Sequence, residues 1–172
     1  MATLTAGSLG VVIAVPGSLA QQLHQWRASF GEAATGLVPP HVTILTNGVT
    51  DDVDAAVGAV ADVAARTDPF TIVLRGAGSF LPHSPVAFLR LAAGAGECID
   101  LHEGIVAAGI ASGALFPYHP HVTLAQGVGR DSLDEALMRF SGFAAQFPAT
   151  TLGVFRAGQT EWEQVGEVPL GG

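Results

Sequence analysis

Short β-branched runs alternate along the chain with stretches in which apolar residues recur every three or four positions. That alternation predicts a mixed α and β protein. Residues 11–15, Val-Val-Ile-Ala-Val closed by Pro16-Gly17, read as a buried strand. Ser18 offers an N-cap for a helix in which Leu19, Leu23, Trp26 and Phe30 fall at helical spacing. Residues 31–40 read as a loop, and residues 42–45 as a strand ended by Asn47-Gly48. Asp51, Asp52 and Asp54 open a helix reaching about Arg66, an arrangement that suits the helix dipole. Residues 70–74 and 86–91 read as strands joined by a Gly/Pro/Ser-rich connection. A helix over 97–112, a strand over 122–125 and a helix over 132–140 follow, with final strands near 151–155 and 161–168.

The order of elements repeats. Each half runs strand, helix, strand, helix, strand. Pro40-His41-Val42-Thr43 returns as Pro120-His121-Val122-Thr123, an offset of 120 − 40 = 80 residues. The same offset carries Asp51, Val53, Asp54 and Val57 onto Asp131, Leu133, Asp134 and Leu137. The match implies duplication. It predicts a single bilobal domain over residues 1–172, with approximate repeats 9–80 and 84–158 around a pseudo-twofold axis. The expected class is α+β, with two antiparallel-rich sheets flanking a cleft and helices outside.

Composition narrows the function. The chain has 172 residues, 49 % of them hydrophobic, and a formal net charge of −8. That is ample for a packed core and excludes a disordered chain. All seven basic residues are arginine and they are scattered, so no basic stripe tracks a long nucleic-acid backbone. Arg130 and Arg156 read as solvated surface. The one cysteine, Cys98, excludes an intrachain disulfide and reads as inert packing. No apolar run reaches the ~18 residues of a membrane span, and the N-terminal residues lack the positive region of a signal peptide. The expectation is a cytoplasmic protein, monomeric rather than an obligate oligomer.

The chemistry lies in the repeated string. Residues i and i+2 of a strand share a face. His41 therefore projects with Thr43, and His121 with Thr123, while Val42 and Val122 point the other way. Two imidazoles and two hydroxyls facing one cleft form an acid/base set. A neutral His can take a proton from water, and a protonated one can give a proton to a departing alkoxide. The Thr hydroxyls can donate to non-bridging phosphate oxygens.

These strings resemble the 2H phosphoesterase superfamily, and within it the bacterial 2′-5′ RNA ligase or RNA 2′,3′-cyclic phosphodiesterase branch. The resemblance rests on His41-Val42-Thr43-Ile44-Leu45 and on the run from Phe116 through Tyr118, His119, His121 and Thr123 to Ala125. The stretch Gly78-Ser79-Phe80 to Val86-Ala87-Phe88-Leu89 is similar to the family's central hairpin. The resemblance implies a cleft lined by both motifs and metal-independent, cofactor-free cleavage of cyclic or 2′-5′ phosphodiesters. His41 and His121 would be the acid/base pair, with His121 as base and His41 as acid. Thr43 and Thr123 would hold the phosphate. Many RNA-acting members carry a basic residue soon after the second motif, where this chain has Gln126. A mononucleotide, a short RNA end or a nucleotide-derived cyclic phosphate is the expected partner.

Other residues have competing readings. Tyr118, His119, Phe80, Phe88 and Gln126 are candidates to touch substrate at the cleft edge, although Phe80 and Phe88 also suit a core. His119 and His121 have the spacing of a metal-ligating pair, but no further ligand motif accompanies them. His24, His83 and His102 read as surface or packing residues, and Trp26 as core. The alternatives to a phosphodiesterase are a non-catalytic nucleotide-binding module and a metal-dependent hydrolase built on His119 and His121.

Overall fold

The computed structural model describes residues 7–31, 39–158 and 162–171. The chain runs β1 (Leu9–Ala14), α1 (Gly17–Ser29), β2 (His41–Gly48), α2 (Val53–Ala64), β3 (Phe70–Ser79), β4 (Val86–Ala93), α3 (Ala95–Ala107), β5 (His121–Gln126), α4 (Arg130–Arg139), β6 (Ala144–Ala149), β7 (Thr151–Ala157) and β8 (Trp162–Pro169). Most of the predicted loop 31–40 lies outside the described residues, as does position 161 of the last predicted strand.

Local sequence explains the elements. The β-branched run of β1 is buried from Leu9 to Ile13, as expected of an inner strand. Asp52 caps α2, its Oδ1 accepting from the Ala55 amide at 3.0 Å. The first helix starts earlier than the expected Ser18 cap implies: Pro16 holds the N-cap position, and no side chain bonds there. In β3 the strand runs past residue 74, through a bulge in which Arg75 and Gly76 face the single residue Arg90. Gly76 takes φ +67° there, a conformation that favours glycine. Strand β6 is absent from the sequence-based expectation. It contains Pro148, which a central strand excludes, and it lies at the sheet edge, where proline is tolerated.

All eight strands form one antiparallel sheet in the order β6-β3-β4-β5-β2-β1-β7-β8. The class is α+β, as expected, but the two expected sheets are halves of one. They join where Val42 of β2 pairs with Val122 of β5. The order also shows that the repeats exchange strands. The third strand of the first repeat, β3, pairs with β4 of the second, and β7 pairs with β1. Helices follow the same exchange. Helix α4 packs under β3, β4 and β5, and α1 joins it, with Trp26 edge-on to Phe140 at 5.9 Å between ring centres. Helices α2 and α3 pack together under the other half.

The helices cover one face. Ile13, Val42, Ile44, Ile72, Leu74, Leu89, Val122 and Leu124 point into a continuous apolar core. Cys98 is fully buried there, and burial pushes its thiol up to about 12, so it packs as an apolar group. The opposite face of the sheet carries both His-x-Thr strings.

Candidate active site

Strands β2 and β5 cross at the Val42–Val122 pair, and both valines are fully buried. In an antiparallel ladder the paired residue numbers keep a constant sum, here 42 + 122 = 164. That register sets His41 opposite Thr123 and Thr43 opposite His121, all four on the face away from the core. The two histidines occupy diagonal corners, and so do the two threonines.

Both imidazoles are oriented by the same device. His41 Nδ1 lies 2.8 Å from the Pro39 carbonyl oxygen, and His121 Nδ1 lies 2.7 Å from that of His119. A carbonyl only accepts, so each Nδ1 carries the proton and donates it. Each Nε2 is then left with a lone pair in the neutral ring and with N–H in the protonated one. The carbonyl used is two residues back in both cases, which makes the repeat symmetric down to its hydrogen bonds.

Both rings are held neutral. His41 is 8 % exposed, and its pKa is lowered to about 4, first by burial and then by the charges of Arg27 and His121, against the supporting Pro39 bond. Arg27 itself is buried on α1. His121 keeps an exposed edge, yet its pKa is also lowered to about 4, chiefly by loss of water.

Aromatic rings surround these imidazoles. Phe80 and Phe88 stack at 4.3 Å and present edges to His121 at 4.9 and 5.3 Å. They also flank the exposed His119, at 5.5 and 5.4 Å. Phe88 is buried, so the pair walls the histidines, and only Phe80 retains outward surface. The other half carries a counterpart that the motifs did not disclose. Trp162 lies 6.0 Å from His41, and Phe155 lies 5.8 Å from Trp162. The signal was present in the sequence: Gly78-Ser79-Phe80 at the end of β3 returns as Gly153-Val154-Phe155 of β7. Both glycines make room for a ring. A Cβ at Gly78 would lie 2.9 Å from Phe88 Cζ, and one at Gly153 would lie 2.8 Å from Phe155 Cε2.

The remaining candidates take different places. The Tyr118 hydroxyl donates to the Thr43 carbonyl at 2.8 Å, and its ring stacks on His102 at 4.2 Å. Tyr118 is therefore a brace between the motifs. His102 in turn places Nδ1 2.7 Å from the Ile44 carbonyl oxygen, a packing role. Gln126 ends β5 opposite Val86, and an irregularity between Ala87 and Phe88 separates that pair from the Thr123–Phe88 pair. Arg130 and Arg156 are exposed and bonded to Asp134 and Glu163. Among the described residues, no group of three or more His, Cys, Asp or Glu side chains is arranged to hold a metal, so His119 and His121 have no third ligand there. A cavity of about 570 Å³ lined by Asp51, Asp52, Asp54, Arg156 and Glu163 lies apart from the histidines.

The profile of the 2′-5′ RNA ligase superfamily matches residues 15–161, which include both motifs and both aromatic pairs apart from Trp162. The chain belongs to the 2′-5′ RNA ligase superfamily. Relatives named as phosphoesterases in Bacillus thuringiensis strain Al Hakam and Bacillus cereus strain AH187 are 28 % identical over 122 residues, 70 % of each chain. Escherichia coli LigT crystallised with 3′-AMP shares the fold at TM-score 0.68 and 20 % identity, covering 96 % of this chain and 99 % of that one. A Thermus thermophilus protein superposes at TM-score 0.69 with 21 % identity, covering 96 % of this chain and 98 % of that one. Usb1 of Kluyveromyces marxianus superposes at 0.54 with 14 % identity, covering 96 % and 99 %. The 2H phosphoesterase family and the α+β fold therefore stand on both sequence and architecture.

Proposed function

We propose that this family member hydrolyses a 2′,3′-cyclic phosphodiester, on a nucleotide or an RNA end, by two-histidine acid/base catalysis without a metal. The observation that carries the reading is the diagonal pair of Nε2 atoms, each oriented by an Nδ1 bond to the carbonyl two residues back. In-line displacement at phosphorus needs a base on one side and an acid on the other. Neutral His121 takes a proton from water as the water oxygen bonds to phosphorus. Protonated His41 gives its Nε2 proton to the 3′ oxygen as the P–O3′ bond breaks. The product is a 2′-phosphate, and the histidines exchange protonation before the next turnover. Thr43 and Thr123 donate to the non-bridging oxygens, where charge is concentrated.

The low basicity of both rings fits this scheme once substrate is bound. An anionic phosphodiester between them favours the one proton that the reaction requires. Escherichia coli LigT has been crystallised with 3′-AMP, NADP+, ATP and phosphate, which supports a nucleotide-sized ligand here. The test is incubation with a 2′,3′-cyclic nucleotide in EDTA, with products read by phosphorus NMR. The expected product is the 2′-phosphate. Turnover that needs added metal, or that survives His41→Ala combined with His121→Ala, overturns the mechanism.

A further inference from the structure

The net charge of −8 is unevenly placed. None of the 15 acidic residues lies in β1 to β7, and the two within β8 are Glu163 and Glu167. On the open face of β3 and β4, by contrast, two arginines stand together. The bulge sets Arg75 beside Arg90, while Leu74 and Leu89 point to the core. Arg90 is also the register partner of His121. Both arginines are exposed.

Their surroundings differ from those of three of the other surface arginines. Arg130, Arg139 and Arg156 each bind a carboxylate, of Asp134, Glu135 and Glu163. Among the described residues, Arg75 and Arg90 have no carboxylate within ion-pair distance, and strands β3 to β6 contain no acidic residue. Like charges directly opposite on a sheet repel. Arg90 is further constrained: it lies across Gly78, where a Cβ would come within 2.8 Å of its Nε. The glycine thus leaves room for the Arg90 guanidine group where any side chain would clash.

We propose that Arg75 and Arg90 form a second anion subsite that takes a phosphate adjacent to the one being cleaved. The inference rests on the phosphodiesterase reading above and specifies its substrate: a nucleoside 2′,3′-cyclic phosphate that also carries phosphate at its 5′ oxygen. Guanidinium forks match phosphate oxygens two at a time.

The experiment compares three substrates: adenosine 2′,3′-cyclic phosphate, its 5′-phosphorylated form, and a diadenylate ending in the cyclic phosphate. The expected wild-type kcat/KM is about tenfold or more higher for the 5′-phosphorylated form than for the plain one. Arg90→Gln and Arg75→Gln each reduce that preference to less than about threefold, whereas Arg130→Gln on α4 keeps it. A gain shared by the diadenylate identifies the linking phosphate of RNA as the ligand, and a gain confined to the 5′-phosphorylated mononucleotide identifies a free 5′-phosphate. A wild-type preference near one, or one untouched by both variants, overturns the subsite. If none of the three is hydrolysed, the phosphodiesterase reading fails. Calorimetry with adenosine 2′-phosphate and 2′,5′-bisphosphate then decides the subsite separately: tighter bisphosphate binding lost in Arg90→Gln upholds it, and equal binding overturns it.

Discussion

The Tyr118 hydroxyl donates to the main-chain carbonyl of Thr43, so the segment leading into the second motif is bonded to the strand carrying the first. The sheet itself joins these strands at one residue pair, Val42 with Val122. The tyrosine is thus a second tie across the seam, and burial raises its phenol pKa so that it stays protonated as a donor. Tyr118→Phe removes the donor, strips one partner from the Thr43 carbonyl and keeps the stacking on His102. The expected cost is about 1 kcal/mol of stability by urea denaturation, with a several-fold fall in kcat. Unchanged stability and unchanged kcat together would show that the seam does not depend on this bond.

The pH dependence of turnover follows from the two lowered histidines. The proposed mechanism needs one neutral and one protonated ring. In the free protein both titrate at about 4, so kcat/KM, which reports the free enzyme, is expected to peak near there. With an anionic phosphodiester bound, protonation is favoured and the kcat optimum moves toward higher pH. Steady-state kinetics across acid and neutral buffers measures both profiles. Coincident optima at neutral pH would mean that the rings are not desolvated in solution.

Stability carries the same signature with a definite sign. His41 titrates at about 4 when folded and at the ordinary 6.5 when unfolded, so the unfolded chain binds the proton first as pH falls. The neutral ring's contribution is present in full above pH 6.5 and is lost as pH falls toward 4. For this buried ring the loss amounts to roughly 3 kcal/mol. His121 adds to the slope by less, because its exposed edge is screened. Denaturant unfolding between neutrality and the lower limit should show the decline, and His41→Gln should flatten much of it. A wild-type curve with no slope in that window would contradict the burial of His41.

The pattern of the candidate site was legible in the sequence because it is local. Pro-His-Val-Thr fixes which side chains share a face, and its repetition names both halves of the pair. The element order was legible too, since β1, β2 and α2 announce themselves through runs and caps. What the sequence hid was long-range. Nothing near Arg90 discloses that its neighbours are Arg75 and His121, because a bulge and a cross-strand register decide that. Strand β6 was masked by Pro148, whose edge location only the sheet order reveals. The exchange of β3 and β7 between the two halves was likewise invisible, since an 80-residue offset aligns segments and does not say which segments pair.

Trp162 shows what such hidden neighbours do to chemistry. Its ring sits 6.0 Å from that of His41 and is itself backed by Phe155. The ring stands on one side of an imidazole whose depressed pKa comes first from burial. Trp162→Ala opens that side. The His41 pKa should rise from about 4 back toward 6.5, while that of His121, walled by Phe80 and Phe88, should not move. Nitrogen-detected NMR titration of the two imidazoles separates them, with His41→Gln fixing the assignment. The rise in His41 basicity should also carry the kcat/KM optimum upward, since the proposed proton donor is then charged over a wider range. Phe88→Ala should give the mirror result, raising His121 alone. If Trp162→Ala leaves both titrations in place, the desolvation of His41 comes from the sheet and the buried Arg27 side, and the aromatic pair on β7 and β8 has no part in setting its proton affinity.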